Sequence, residues 1–251
     1  MKKSSRTYSL FPSLKSLSDK VGDILCCGST ANKYKRLDTK LEMKIMEVKR
    51  SSLARNNFRS VNSIILKFPM FREGLKEVKG VFQQCDADSN GTIDHKELKN
   101  CFEKLNLQLK EEEIDDLFGY CDMDGTDGIQ LNEFIIILCL VYLLLDPSTS
   151  SHSNLDFGSP NLKATFDAII EAFLFFDKNG DGKLNKKDMT NALNDDSQFE
   201  RSPTHITRTR FKEMDWDRNG QVSFREFLFA LIKWVGFGSE DENTVINCSR
   251  K

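Results

Sequence analysis

The sequence predicts an all-α fold: four helix–loop–helix units in two paired lobes, with short β contacts between paired loops. Three observations predict it. Twelve-residue, aspartate-rich loops recur, starting at Asp86, Asp122, Asp177 and Asp215. Apolar residues repeat in phase with them: Phe82, Phe118, Phe173 and Phe211 four residues ahead, and Ile93, Ile129, Leu184 and Val222 at the eighth loop position. The loop starts are spaced by 36, 55 and 38 residues, so two close pairs flank a longer connection. Leu98, Phe134, Met189 and Phe227 follow the twelfth positions, completing a repeated core pattern that unrelated surface turns would not share.

In chain order, a basic extension comes first (1–60), with 14 Lys and Arg against 5 Asp and Glu, while residues 61–251 carry a net charge of −11. A basic head on an acidic body points to cations as ligands of the body and an anionic partner for the head. Leu10, Leu14, Leu17, Val21, Ile24 and Leu25 have helical spacing and run into Cys26-Cys27. Two readings stay open there: a membrane-surface helix with acylated thiols, or an unmodified tail. A second stretch places Leu37, Leu41, Ile45 and Val48 on one face and Lys40, Lys44, Lys49 and Arg50 elsewhere. It is expected as a solvated helix, with an internal ligand for the acidic body as the alternative.

The first pair is assigned to 61–145. Its first loop offers Asp86, Asp88, Asn90, Thr92 and Glu97 at positions 1, 3, 5, 7 and 12, with Gly91 at the sixth. Calcium wants six to eight oxygens, position 7 gives its backbone carbonyl, and a long Glu at position 12 can bind with both oxygens. A sharp turn at position 6 favours glycine. The second loop offers Asp122, Asp124, Thr126, Gly128 and Glu133, but Asp127 stands at the turn and Thr126 replaces an acid or amide. Aspartate visits the left-handed region more readily than most residues, so the turn is feasible. Cation binding and a purely pairing role are both open for this loop.

A serine-rich linker with Pro147 (146–161) leads to the second pair (162–237), and a tail (238–251) ends the chain. The third loop offers Asp177, Asn179, Asp181, Lys183 and Asp188. Its last ligand is one methylene short, which favours six-coordinate Mg²⁺ over Ca²⁺ relative to the other loops. The fourth is complete: Asp215, Asp217, Asn219, Gln221 and Glu226, with Gly220 at the turn.

These loops, with Phe71-Arg72-Glu73-Gly74-Leu75 leading into the first, make residues 70–237 resemble the calmodulin-like EF-hand calcium sensors, of the plant type with an N-terminal extension. The resemblance implies a Ca²⁺-binding sensor that changes conformation, exposes an apolar groove and captures target proteins or their amphipathic helices. The linker, the basic head, Asp127 and Asp188 depart from the pattern. So do the exit helices, which carry Leu, Phe and Ile where adaptable Met would widen the range of targets.

Seven cysteines without C-x-x-C or zinc spacing read as reduced thiols of a cytoplasmic protein, peripheral to a membrane if the extension anchors it. Cys85 and Cys121, each just ahead of a loop, read as core residues, and His95 and His205 as solvated. No phosphate loop, nucleophile elbow or kinase motif set is present, and helices and loops fill the body, so neither an enzyme nor a nucleic-acid binder is expected. Two alternatives to the sensor stay open. One is a calcium buffer; the other is a constitutive regulatory subunit of an enzyme, suggested by the apolar run from Phe134 to Leu145.

Overall fold

The computed structural model describes residues 34–52, 58–107, 109–145, 159–194 and 204–237. The Leu10–Leu25 stripe, Cys26, Cys27 and Cys248 lie outside them, as does most of the serine-rich linker. The described residues form ten helices and one two-stranded sheet: α1 (Lys35–Ser52), α2 (Val61–Ile65), α3 (Phe68–Cys85), α4 (His95–Lys104), α5 (Glu111–Cys121), α6 (Leu131–Leu144), α7 (Pro160–Phe176), β1 (Leu184–Asn185), α8 (Lys186–Asn194), α9 (Thr204–Met214), β2 (Gln221–Val222) and α10 (Phe224–Val235).

Each loop begins where its entering helix is capped. The amide of the first loop residue closes the last helical turn on the phenylalanine four residues back, from Asp86 to Phe82, Asp122 to Phe118 and Asp177 to Phe173 at 2.9 Å, and Asp215 to Phe211 at 2.8 Å. The four phenylalanine rings are buried, as are Leu98, Phe134, Met189 and Phe227 after the loops. The eighth positions pair as expected. Ile93 and Ile129 exchange backbone hydrogen bonds of 2.8 and 2.9 Å, and Leu184 faces Val222 in the antiparallel β1–β2 ribbon.

The two pairs share one apolar core. Helix α3 crosses α7 closely at Gly74, where an added Cβ would lie 2.0 Å from the Oγ1 of buried Thr165. Two residues before Gly74, the Arg72 guanidinium donates to the Val235 carbonyl at the end of α10 at 2.7 and 3.1 Å. Tyr142 on α6 donates to Asp167 on α7 at 2.7 Å.

Helix α6 is apolar on every side because it is covered on every side. It packs against α3, α5, α7, α10 and α1, and Phe134 to Val141 are all buried. The run that suggested a permanent partner enzyme is thus accounted for within the chain. Among the described residues, no helix is long and apolar enough to cross a membrane.

Two expectations are corrected. The stretch expected as a solvated helix is α1, and its stripe Leu37, Leu41 and Ile45 is buried against α6. Hydrophobic burial of three large side chains outweighs solvation of a helix whose lysines reach out to water. Cys85 and Cys101, expected as thiols, are joined in a disulfide with Cα atoms 5.3 Å apart. The entering and exiting helices of the first hand bring them together, a proximity that a sequence separation of 16 does not reveal. Cys121 and Cys139 are free and buried.

Candidate metal centres

All four loops wind around their first aspartate. The amide at position 6 donates to it in each case: Gly91 to Asp86 at 3.0 Å, Asp127 to Asp122 at 3.1 Å, Gly182 to Asp177 at 3.2 Å, and Gly220 to Asp215 at 3.2 Å. That turn needs a left-handed residue, and Asp127 takes it with φ 61°, as its side chain allows. Position 4 is left-handed too, at Ser89, Gly125, Gly180 and Arg218. Sequence reasoning missed this second turn; its signal was the glycine at Gly125 and Gly180, while Ser89 and Arg218 give none.

The twelfth residue sits at the third position of the exiting helix and forms a capping box with the ninth. Asp94 accepts from the Glu97 amide at 2.7 Å while Glu97 Oε2 accepts from the Asp94 amide at 2.9 Å. Ser223 and Glu226 exchange the same bonds at 3.3 and 2.9 Å. The other carboxylate oxygen reaches across the loop to the amide of position 2: Glu97 to Ala87 at 2.8 Å, Glu133 to Met123 and Glu226 to Trp216 at 2.9 Å. One side chain therefore links the start of the loop to the start of the exiting helix.

The result is three convergent carboxylate clusters: Asp86, Asp88 and Glu97; Asp122, Asp124 and Glu133; and Asp215, Asp217 and Glu226. In each, one oxygen per residue lies within 4.8 Å of the others. The remaining predicted ligands are held in the same loops: Asn90 and Asn219 turn their side-chain oxygens onto the amides of Thr92 at 2.8 Å and Gln221 at 2.7 Å. In the second loop the acids converge, but Thr126 Oγ1 donates to the Gly128 carbonyl at 3.1 Å, and the Gln130 amide donates to Asp124 at 2.6 Å. The third-position acids of the first and fourth loops are engaged in the same way, Asp88 by the Asn90 side-chain amide at 2.9 Å and Asp217 by that of Asn219 at 2.7 Å.

The third loop differs. Its third position is an amide, and Asn179 donates to Asp181 at 2.6 Å. Asp188 accepts from the Asn185 amide at 3.1 Å, the near side of the loop. Among the described residues it does not form a cluster of the kind seen in the other three. Instead Lys49 of α1 donates to the Asp177 carbonyl and stands 3.9 Å from its Oδ1, and Lys183 pairs with Glu42 of α1 at 3.0 Å. Lys49 and Glu42 are site-flanking residues that sequence reasoning missed. The amphipathic stripe of α1 announces docking but not where the helix lands.

The electrostatics fit a divalent cation. Burial pushes the Glu133 carboxyl up to about 7, and neighbouring Asp124 and Asp122 push the same way, against the pull of the Gln130 and Met123 amides. Burial likewise raises Asp122, Asp177, Asp215 and Glu226. Crowded, partly desolvated carboxylates held by a few amides lack positive charge, and an oxygen-seeking divalent ion supplies it.

This fold and these loops define a helix–loop–helix calcium-binding protein. The profile of the EF-hand domain pair matches residues 75–139 and 166–232, and the chain belongs to that family, among the plant-type calmodulin-like calcium sensors. It is 49% identical to the probable calcium-binding protein CML22 of Arabidopsis thaliana over 224 residues, 88% of this chain and 98% of that one. It is 48% identical to the probable calcium-binding protein CML21 of the same plant over 207 residues, 82% of this chain and 87% of the relative. Calcium-dependent protein kinase 9 of Oryza sativa subsp. japonica is 30% identical over 163 residues, 64% of this chain but 24% of the kinase.

Proposed function

We propose that this calcium sensor responds to Ca²⁺ by moving its exiting helices, and so regulates target proteins. The ligands would be the side chains of Asp86, Asp88, Asn90 and Glu97 in the first loop and of Asp215, Asp217, Asn219 and Glu226 in the fourth, with the carbonyls of Thr92 and Gln221. The second loop adds Asp122, Asp124 and Glu133. The third adds Asp177, Asn179, Asp181, Asp188 and the Lys183 carbonyl, and Mg²⁺ competes best there because Asp188 is short.

The observation that carries this reading is the double duty of Glu97, Glu133 and Glu226. Each carboxylate closes both its own loop and the first turn of the next helix. A cation bound in the loop would be held by that carboxylate, and because the same side chain caps the next helix, a shift of the carboxylate would re-aim that helix. Apolar surface for a target is covered in this arrangement: among the described residues, the large exposed hydrophobics are Met43 at 62% and Leu66 at 80%. A buffer would take up the ion without uncovering more.

Two measurements test this. Calorimetric titration of Glu97→Gln and of Glu226→Gln should each show one site fewer than the parent, because an amide cannot replace a two-oxygen carboxylate. Two variants that titrate like the parent refute the ligand assignment. The parent should also be retained on a phenyl matrix with Ca²⁺ and released by a chelator; retention independent of Ca²⁺ refutes the sensor motion and leaves a buffer.

A further inference from the structure

We propose that α1 is an internal latch on the third loop: its docking and cation binding by that loop oppose each other, so that filling the loop releases the helix. This rests on the calcium-binding reading above and deepens it with a regulatory contact. Four loop positions touch α1. Lys49 donates to the Asp177 carbonyl at position 1. Its aliphatic end and ammonium lie 3.5 Å from where a Cβ on Gly180 would stand, at position 4. The Glu42 backbone abuts position 6, where a Cβ on Gly182 would meet the Glu42 carbonyl oxygen at 2.9 Å. The Glu42 carboxylate holds Lys183 at position 7 at 3.0 Å. The corresponding turn glycines of the first and fourth loops, Gly91 and Gly220, face open space. Coverage by α1 therefore falls on the loop that lacks a convergent carboxylate cluster.

The contact is electrostatically matched to the acidic loop. Asp177 is fully buried, and the Lys49 ammonium 3.9 Å from its Oδ1 supplies a positive charge where the ligand set wants one. A second positive centre brought to the same carboxylate repels that ammonium. The latch is anchored away from the loop as well. Asp38 accepts from the Tyr120 hydroxyl, and Lys40 pairs with Glu113 at 3.3 Å, both partners on α5 of the first pair. The apolar stripe lies on α6 between these ends. Helix α1 thus spans the first pair and a loop of the second, so its release is a signal that both pairs would register. By linkage, whatever factor α1 docking takes from the affinity of the third loop, cation binding takes from α1 docking.

The test uses the full chain and the backbone amide resonances of the turn glycines, followed as Ca²⁺ is added. Each of these amides donates to its loop's first aspartate, so it reports its own loop. Lys49→Met keeps the aliphatic packing and removes the charge; it should tighten the Gly182 response about tenfold, within the range of roughly 5–150-fold by which two coupled sites alter each other's affinity. Gly91 and Gly220 should respond as in the parent, and Lys49→Arg should leave Gly182 at the parental midpoint. At saturating Ca²⁺, amide hydrogen exchange in residues 35–52 should accelerate in the parent. An unshifted Gly182 midpoint in Lys49→Met, or an α1 equally protected with and without Ca²⁺, overturns the latch. So does a Gly182 amide silent to Ca²⁺ while Gly91 and Gly220 respond, an outcome in which the calcium-binding reading stands. Silence at all three glycines overturns that reading too.

Discussion

Two glycines of α3 make opposite predictions. A Cβ at Gly80 would meet nothing within 4 Å, whereas at Gly74 it would lie 2.0 Å from Thr165 Oγ1 and 2.7 Å from Thr165 Cβ. Replacing a glycine within a helix by alanine gains about 1 kcal/mol from reduced backbone freedom in the unfolded chain. Gly80→Ala should receive that gain in full. Gly74→Ala must also push α3 and α7 apart, and overpacking a core costs roughly 1–3 kcal/mol. The top of that range applies. Thr165 is fully buried and its hydroxyl is tied to the Asn161 carbonyl at 2.9 Å, so the side chain cannot swing away. The carbon–carbon approach is also well inside the optimal separation of about 3.5–4.0 Å. The net effects are a loss of about 2 kcal/mol for Gly74→Ala and a gain of about 1 kcal/mol for Gly80→Ala. In a chain of this size each kcal/mol moves the melting temperature by roughly 2–4 °C. Thermal melts followed by circular dichroism in chelator should therefore place Gly74→Ala about 4–8 °C below the parent and Gly80→Ala about 2–4 °C above it. A Gly74→Ala protein that melts at or above the parent would show that the two pairs do not cross at this glycine.

Two further outcomes are expected. Trp216 at the second position of the fourth loop gives its amide to Glu226 and stacks on Phe229 at 4.7 Å, so terbium bound there should luminesce on indole excitation. Ca²⁺ should compete the signal away, and Trp216→Phe should abolish most of it while Trp234→Phe leaves most; a signal that survives Trp216→Phe contradicts the fourth-loop assignment. For the cysteines, alkylation of protein purified without reductant should mark Cys121 and Cys139 only after denaturation, since both are buried and burial pushes the Cys121 thiol up to about 12. Cys85 and Cys101 should need reduction as well, and their labelling in denatured, unreduced protein would rule out the disulfide.

What could be read from the sequence alone is what short-range chemistry dictates. The acidic loops, the turn at position 6, the phenylalanines that close each entering helix and the paired eighth positions all act within a dozen residues or across one β contact, so composition and spacing expose them. Asp127 in a left-handed turn was legible for the same reason: its backbone cost is intrinsic to the residue. The tertiary structure decided the rest. Nothing near Cys85 in sequence points to Cys101; the return of α4 beside α3 does. The apolar run of α6 reads equally well as a partner-binding surface or a buried strut until α1 and α10 are seen to cover it. Lys49 looks like one of six cations on a basic helix, and only the landing site of α1 puts it beside Asp177, 128 residues away. An amphipathic stripe encodes that a helix will bury a face, because burial depends on area; it does not encode against what, because that depends on which surfaces the rest of the fold leaves open.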